Sequence, residues 1–503
     1  MNKTKITAFI LASLMLFALI TSCAKPADDS KGDSNGTTQQ QDNNDAEKQD
    51  DASDTTDEVR LLPNVPEDLN LDGYKFRILY NFKDPATSGW GVRGIESAEE
   101  TGDAVNDATY RRNAAVTEKY NFEIIGQPET DSVLSTAFVK KLVQSGSDEF
   151  DVIIMRQTYV PSLITAGSFV DFNTIPNINF DSPWWDQGIM NQMSLDNKQF
   201  AAFGDLIVGA NDALRILMFN KKLHQDAGLE DIYTLVREGK WTLDKFYDMS
   251  KTVSADLNGD GARDNSDQYG ILMQTSSLAC FMFGAGESVT SKDADDMPVL
   301  TMGSERSLLV LQKIHDILYT PDMTLYDSAF TDTHVGLQAA FENNQGLFYG
   351  EVLELAERMR ATQTDFGVLP YPKYDESQTD YYAFADSWCM NHIFIPTTNQ
   401  NLEKTGQILE ILNAEAYYTS RPAYYEKSLN GKFIRDKEST EMLDIILANK
   451  IISQDELYNW GMYTAVKNAL NSKSANFASA IEKVAAKTTT SIEKTINLIN
   501  NMG

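Results

Sequence analysis

Oxygen-bearing side chains recur with regular spacing between Asp256 and Asp267. A calcium loop carries its ligands at positions 1, 3, 5, 7, 9 and 12, with glycine at position 6 for the sharp turn. Gly261 stands at position 6 here, and aspartate replaces the usual glutamate at position 12. An ordinary turn rich in Asn, Asp and Gly is the alternative. The sequence therefore predicts a structural Ca²⁺ site with the ligands Asp256, Asn258, Asp260, Ala262 through its carbonyl, Asp264 and Asp267.

Residues for most catalytic chemistries are scarce. The four histidines lack the spacing of a metal-binding His-Glu-x-x-His motif. The sequence has no Gly-x-Ser-x-Gly elbow, no glycine-rich phosphate loop and no cysteine with an evident histidine partner. The 73 acidic residues leave open a glycosidase-like carboxylate pair. We therefore expect a protein that is not an enzyme, with a glycan-active hydrolase as the alternative.

The N-terminus carries the pattern of a bacterial lipoprotein. Two lysines precede an apolar stretch from Ala8 to Ile20, which is shorter than the roughly 20 residues that span a bilayer. Ile20-Thr21-Ser22-Cys23 matches a lipobox. We predict that residues 1–22 are a signal peptide and that lipidated Cys23 anchors the chain to the outer face of the cell membrane. An ordinary signal peptide or a transmembrane anchor is the alternative.

Residues 23–59 are acidic and almost free of apolar side chains. Such a segment buries too little surface to offset the entropy of ordering it, so we predict a disordered tether. The whole chain has a formal net charge of −30. That charge argues against nucleic acid and anionic membrane surfaces as partners. Cys280 and Cys389 are far apart, and we expect two buried free thiols, with a disulfide as the alternative.

Strand and helix signals alternate after the tether. Apolar periodicity predicts strands over residues 74–80, 120–125 and 150–155, with helices near 106–119 and 133–145 between them. Further helices are predicted near 243–254, 304–318, 402–415 and 459–470. This order indicates an α/β fold with a doubly wound sheet. Ligands of such sheets bind beyond the carboxyl ends of the strands, and the loop after Met155 is the first such place.

Six segments in this order resemble family 1 extracellular solute-binding proteins, which are the lipoprotein receptors of ABC importers, many of them for sugars and oligosaccharides. The resemblance extends from about Asp72 to Met502. The segments are Asp151-Val-Ile-Ile-Met155, Ala166-Gly-Ser-Phe-Val-Asp171, Pro183-Trp-Trp185, Met218-Phe-Asn-Lys-Lys222, Gly239-Lys-Trp-Thr242 and Asp365-Phe-Gly-Val-Leu-Pro370.

The resemblance implies a two-lobed, periplasmic-binding-protein-like fold of type II. Each lobe would be a mixed, mostly parallel sheet flanked by helices, with hinge strands between the lobes. Hinge crossings are expected near Phe203–Gly209, Phe384–Met390 and Phe433–Glu438. Lobe 1 would then comprise residues 60–205 and 390–435, and lobe 2 residues 206–389 and 436–503. Solute would bind in the cleft, and lobe closure would present it to the permease.

Aromatic side chains are expected in the cleft if the solute is a sugar, because the C–H groups of a pyranose pack on an aromatic face. The resemblance points to Trp460 and Tyr349, and Trp185 and Trp388 are further candidates. Large aromatic residues are usually core residues, so we expect about half of these four to serve packing. Trp241 is expected in the core, under a helix that Thr242 caps.

Carboxylates, amides and arginine would bind the hydroxyl groups of a sugar. The polar candidates are Arg156, Gln157, Asp205, Asn211, Asp212, Glu351 and Asp386. We therefore expect a monomeric, lipid-anchored receptor that delivers a sugar or oligosaccharide to an ABC importer permease. A receptor for a peptide or another small solute is the alternative within this class.

Overall fold

The computed structural model describes residues 60–82, 91–130, 133–427 and 436–502. The predicted signal peptide, the lipidation site Cys23 and the predicted tether lie outside the described residues. No helix within the described ranges is both long enough and apolar enough to cross a membrane.

Helices and strands alternate along the described chain. The strands are β1 (Tyr74–Asn81), β2 (Phe122–Glu129), β3 (Val152–Arg156), β4 (Arg215–Asn220), β5 (Tyr269–Met273), β6 (Thr290–Lys292), β7 (Pro298–Leu300), β8 (Thr324–Tyr326), β9 (Gly346–Val352), β10 (Phe366–Leu369), β11 (Ala383–Phe384), β12 (Asn391–Phe394) and β13 (Lys450–Ile451). The helices are α1 (Ala104–Tyr120), α2 (Thr136–Gln144), α3 (Pro161–Thr165), α4 (Gln187–Met193), α5 (Lys221–Asp226), α6 (Ile232–Arg237), α7 (Leu243–Val253), α8 (Cys280–Gly284), α9 (Glu305–Leu318), α10 (Thr333–Glu342), α11 (Leu353–Arg358), α12 (Leu402–Tyr418), α13 (Ser420–Lys427), α14 (Lys437–Ala448), α15 (Gln454–Tyr458), α16 (Met462–Leu470) and α17 (Phe477–Asn500).

The first large sheet has four strands in the order β12-β3-β1-β2. β1 runs parallel to both β2 and β3, and β12 closes the sheet antiparallel to β3. Every residue of β3 is buried. Such a continuous apolar strand is typical of a sheet that is covered on both faces.

The second large sheet has five strands in the order β10-β4-β9-β5-β8. β9, β5 and β8 are mutually parallel neighbours, whereas β4 lies antiparallel to both β9 and β10. This sheet is therefore mixed, with as many antiparallel as parallel pairs. All residues of β4 and β9 are buried.

Within the described ranges, two chain segments connect the two large sheets. Residues 205–213 form a buried 3-10 segment that leads into β4. Residues 385–390 lead from β11 into β12, and Ala385 forms a bridge with Leu214 on the way. The first segment overlaps the predicted crossing Phe203–Gly209 and the second overlaps the predicted crossing Phe384–Met390, and their role as hinges stays a prediction. The third predicted crossing begins at Phe433, and residues 433–435 lie outside the described part.

Local signals account for the helix boundaries. The side chain of Asp103 caps α1 by accepting hydrogen bonds from the amides of Val105 and Asn106. Thr242 caps α7 through the amide of Lys245, as the sequence predicted. Trp241 is fully buried and donates its indole N–H to the Pro370 carbonyl, 3.0 Å away. These caps satisfy amides that have no partner inside the helix.

Two large hydrophobic cores hold the chain together. One contains both faces of the first sheet and one face of the second, and the other lies on the opposite face of the second sheet. Neighbouring residues of β4 show the division, because Met218 belongs to the first core and Leu217 to the second. Successive side chains of a strand point to opposite faces, so one strand contributes to both cores. The residue boundaries of the two lobes stay predictions.

Candidate functional site

An exposed tryptophan lies beside the carboxyl end of β3. Trp388 is 55% exposed, whereas Trp184, Trp185, Trp241 and Trp460 are buried. The guanidinium of Arg156, the last residue of β3, lies 5.2 Å from the centre of the Trp388 ring and donates to the Trp388 carbonyl, 2.8 Å away. Burial lowers the pKa of Arg156 below its ordinary value. We call Trp388 and Arg156 the Trp388 shelf.

The backbone of the second crossing holds this shelf in place. The amides of Cys389 and Met390 donate to the Asp386 carbonyl, at 2.9 and 2.8 Å. The amide of Thr158 donates to the Ser387 carbonyl, at 3.1 Å, so the turn is tied to the segment that follows β3. The Asp386 side chain also accepts from the Trp388 amide, at 2.9 Å. The position of the ring is thus fixed by the backbone although the ring itself faces solvent.

A buried arginine joins the crossing to the second sheet. Arg215 begins β4, and its Nε donates to Asp386, 2.9 Å away. Its Nη1 lies 3.6 Å from a carboxylate oxygen of Glu351, and Gln274 donates to the other oxygen of Glu351. The side chains of Arg215 and Glu351 are each only 8% exposed. One cation therefore holds two carboxylates at the boundary between the two sheets.

A second arginine makes a similar arrangement nearby. Arg93 forms ion pairs with Asp212, at the end of the first crossing, and with Glu357 on α11. The hydroxyl of Tyr424 donates to the other oxygen of Asp212, 3.1 Å away. Asp212 belongs to the same boundary because the next residue, Ala213, accepts a hydrogen bond from the Asp386 amide, 3.2 Å away.

Gln157 connects the shelf with α15. Its side-chain amide donates to the Ser453 carbonyl, at 3.2 Å, and its oxygen contacts His392 Nε2, at 3.0 Å. On α15, the Glu456 carboxyl accepts from the Ser387 hydroxyl, at 2.8 Å. The other Glu456 oxygen is buried without a hydrogen-bond partner in the described chain. Burial, followed by the charge of Asp386, raises the pKa of Glu456 to about 8.

A cavity of about 740 Å³ adjoins the start of this helix, where Ser453 and Gln454 line it. The lining includes Asn191 and Gln192 of α4, residues 286–292 and residues 447–454. Its volume is within the usual range for small-molecule pockets. We call it the α4 cavity.

Two further predicted residues lie near the α4 cavity. Asn211 accepts from Lys450, at 3.2 Å, and Lys450 also pairs with Asp186, which lines the cavity. Asp205 lies 3.4 Å from Arg421. Burial raises the pKa of Asp205 to about 7, although Arg421 opposes that shift.

Three of the four aromatic candidates are core residues. Trp185 donates its indole N–H to Glu410, at 2.9 Å, and Trp460 donates its own to Thr495, at 3.1 Å. Tyr349 is 1% exposed and packs against Phe341. Their faces are occupied by core contacts, so they do not join the shelf. The structure instead brings together Arg156, Gln157, Asp212, Glu351, Asp386 and Trp388.

The sequence analysis did not identify Arg93, Arg215, Gln274, Glu357 or Glu456. A signal existed for two of them. Gln274 directly follows the buried strand β5, as Gln157 follows β3, and such positions are where open α/β sheets bind ligands. Arg215 is a charge at the start of an apolar strand, and such a charge needs a partner.

The predicted calcium loop has a well-defined backbone. Asp256 accepts hydrogen bonds from the amides of Gly259 and Gly261, at 2.7 and 3.0 Å. Asp267 is buried and accepts from the amides of Leu257 and Asp264, at 3.0 and 3.1 Å. Gly261 has φ +77°, as the sharp turn requires. No group of three or more His, Cys, Asp or Glu side chains in the described ranges is gathered closely enough to hold a metal ion.

Comparisons with known proteins place this geometry in a known fold. No protein-family model and no curated protein sequence matches the chain. The structure is similar to an ABC substrate-binding protein from Listeria monocytogenes in complex with cycloalternan, with a TM-score of 0.52 and 12% identity over 84% of this chain and 100% of that chain. It is also similar to a cyclo/maltodextrin-binding protein complexed with maltotetraose (TM-score 0.55, 12% identity, 86% and 99% covered) and to a sugar transporter from Rhizobium etli in an open conformation (TM-score 0.55, 11% identity, 83% and 99% covered).

These similarities confirm the fold class predicted from the sequence. The chain has the two-lobed, periplasmic-binding-protein-like α/β fold, with mixed sheets flanked by helices. At 11–12% identity the likeness concerns the fold alone.

Proposed function

We propose that this protein is a lipid-anchored, extracytoplasmic receptor that captures a sugar or oligosaccharide between two lobes and delivers it to an ABC importer permease. The observation that carries the proposal is the Trp388 shelf, an exposed aromatic ring held at the boundary between the sheets. The names of the similar structures support it, because they describe an ABC substrate-binding protein, a maltodextrin-binding protein and a sugar transporter.

The chemistry of the boundary suits a glycan. The face of Trp388 provides an apolar surface for the C–H groups of a pyranose. Asp386, Glu351 and Gln274 supply carboxylate and amide groups that match hydroxyl groups. Both carboxylates pair with Arg215, and that contact competes with any use of either group as a general acid. We therefore favour binding over hydrolysis.

A thermal-shift screen of the purified protein against neutral monosaccharides, oligosaccharides, amino acids and short peptides tests the proposal. A ligand at 100 times its dissociation constant stabilises by about 2.7 kcal/mol, which gives a measurable rise in Tm. A shift with one glycan series supports the receptor. A shift with peptides or amino acids only contradicts the carbohydrate assignment, and hydrolysis of a bound glycan reassigns the protein to the enzymes.

Two variants locate the binding site. Trp388→Ala removes the ring of the shelf, and we expect it to abolish the shift caused by the glycan. Ser291→Trp enlarges an exposed residue that lines the α4 cavity, and we expect it to leave that shift in place. The reverse result would move the site to the α4 cavity. Tyr110→Ala removes an exposed aromatic side chain elsewhere and is the matched control.

The lipid anchor rests on the lipobox at Cys23 and has its own test. Two acyl chains bind a bilayer firmly, so the wild-type protein should partition with membranes. Cys23→Ser should release it into the soluble fraction while leaving glycan binding intact. If the wild type and Cys23→Ser both stay with the membranes, or both are found in the soluble fraction, lipidation at Cys23 is contradicted. The proposed monomer is checked by light scattering of the Cys23→Ser protein.

We also propose that the loop from Asp256 to Asp267 binds Ca²⁺ as a structural ion. The ligands would be Asp256, Asn258, Asp260, the Ala262 carbonyl, Asp264 and Asp267. The glycine turn at position 6 and the contacts of Asp256 and Asp267 with loop amides support it. In the structure the carboxylates bind amides, so the loop must rearrange to gather them around an ion.

Calcium titration tests this second proposal. Ca²⁺ should raise the Tm and EGTA should reverse the rise, because an ion that binds only the folded state stabilises it. Asp260→Ala should abolish the response, and its side chain is exposed, so the variant should still fold. Asp226→Asn, at an exposed ion pair outside the loop, is the control. An unchanged Tm with Ca²⁺ would leave the loop as an acidic turn.

A further inference from the structure

The charged side chains at the boundary between the sheets are unequal in number. Three arginines, Arg93, Arg156 and Arg215, stand among five carboxylates. Arg93 and Arg215 each pair with two of those carboxylates. The carboxylates are Asp212, Glu351, Glu357, Asp386 and Glu456. Among the described residues, the boundary has a net charge of −2 with every group ionised and of −1 with Glu456 protonated, the form that its raised pKa favours near neutral pH.

The third arginine is already engaged. Arg156 donates to the Trp388 carbonyl, and its guanidinium lies over the rings of Trp388 and Tyr159, at 5.2 and 5.4 Å. Arg156 as a whole is only 2% exposed. A carboxylate on an incoming ligand would therefore have to compete with the contacts that hold the shelf.

Three buried polar atoms at this boundary have no hydrogen-bond partner in the described residues. Nη1 of Arg215, the hydroxyl of Tyr371 and one oxygen of Glu456 are buried without a hydrogen-bond partner among the residues described. Arg215 is 6% exposed and Tyr371 1% exposed. The charges of Arg215, Glu351 and Asp386 all act on the Tyr371 hydroxyl. The boundary thus keeps unused hydrogen-bonding capacity next to excess negative charge.

From this imbalance we infer that the site takes neutral or amine-bearing glycans and rejects glycans that carry carboxylate groups, a specificity that rests on the proposed function. Hydroxyl groups can donate hydrogen bonds to the carboxylates without bringing a like charge. An ammonium group is also attracted by the negative charge of the carboxylates. A uronate brings a further negative charge into a boundary with little access to water, where like charges are poorly screened.

The test compares three forms of one glycan. The probes are the neutral sugar that gives the largest shift in the screen, its analogue oxidised to a carboxylate at C6, and its analogue with an amine at C2. Isothermal titration gives the dissociation constant of each. We expect the carboxylate form to bind at least about tenfold more weakly than the neutral form. The amine form should bind at least as tightly as the neutral form.

Each outcome has a defined meaning. Equal or tighter binding of the carboxylate form overturns the inference while leaving the receptor in place. Binding of acidic glycans alone has the same consequence. If none of the three forms and no other glycan binds, the proposed function fails and the inference fails with it.

Glu456→Gln provides a readout that a purely steric preference would not change. The charged or titratable groups facing Glu456 are Asp386 on the crossing, Asp455 on its own helix, Cys280 on α8, and Lys467 and Tyr463 on α16. We expect the ratio of the two dissociation constants, carboxylate over neutral, to rise between pH 6 and pH 9 in the wild type as Glu456 ionises. The ratio should stay flat in Glu456→Gln. Asp226→Asn, at an exposed pair with Lys222, should behave as the wild type. A ratio that does not depend on pH in the wild type argues against Glu456 as a source of the discrimination and overturns that part of the inference.

Discussion

Arg156 lies beneath the exposed ring of Trp388 and binds the carbonyl of the same residue. A cation over an aromatic face is attracted to the ring, and the hydrogen bond fixes the backbone beside it. The last residue of a buried strand therefore orients the most exposed tryptophan of the described chain. A ring that is ordered before the ligand arrives loses less freedom on binding.

Arg156→Lys tests this coupling, because an ammonium group cannot reproduce the planar contact of a guanidinium. We expect glycan affinity to fall about tenfold, from loss of ring orientation. In the double variant with Trp388→Ala, the arginine substitution should cause no further loss of affinity, since both act through the same ring. Isothermal titration of the four proteins gives the result, and additive losses would contradict the coupling.

Arg215→Met should destabilise the fold strongly. It removes the cation that pairs with the buried Glu351 and with Asp386, whose side chain is 16% exposed. Breaking a buried pair in this way costs about 3–5 kcal/mol. Urea unfolding measures the change. Lys222→Met, at an exposed pair with Asp226, is the matched control and should cost less than about 1 kcal/mol. Similar small losses in both variants would show that Arg215 is not needed for stability.

Glu456 should make stability fall as the pH rises. Its pKa increases from an ordinary value of 4.5 to about 8 in the folded state, mainly through burial. The folded protein therefore keeps a proton that the unfolded chain loses above about pH 4.5. The stabilisation is complete below that pH and is lost as the pH rises through about 8. Glu456→Gln should remove this part of the decline, a relative gain on the order of 4–5 kcal/mol at pH 9. Urea unfolding from pH 5 to 9 compares the two proteins, and parallel curves would contradict the shifted pKa.

The two remaining thiols should be unreactive in the folded protein. Cys280 and Cys389 are free and buried, and burial raises the pKa of Cys280 to about 12. Thiolate is the reactive form, so little reaction with Ellman's reagent is expected at pH 8. In the Cys23→Ser protein, both thiols should react after unfolding in guanidinium without reductant. Reaction of neither after unfolding would indicate a disulfide.

Local sequence patterns predicted much of the fold correctly. The alternation around residues 74–80 and the apolar run before Arg156 predicted β1 and β3, which lie side by side in the first sheet. The predicted helices near 243–254 and 304–318 became α7 and α9, with differences of one residue at their ends. Caps and periodicity involve neighbours within a few residues, and this is why they can be read before the chain folds.

Long-range contacts explain why the aromatic candidates could not be sorted in advance. Trp185 finds its hydrogen-bond acceptor, Glu410, 225 residues further along the chain. Trp388 has the same residue type, yet its ring faces solvent. A stripe of aromatic residues in a core and one in a cleft have the same composition, so only packing separates them.

The sequence by itself determined the alternating α/β elements, the lipobox pattern at Cys23, the local turns of the loop from Asp256 to Asp267, and the position of Arg156 after a buried strand. The tertiary structure alone decided which charges meet. Arg215 and Asp386 are 171 residues apart in the chain and become partners only where β4 passes the second crossing. Periodicity and capping depend on near neighbours, whereas burial and charge pairing depend on which distant segments the fold brings together.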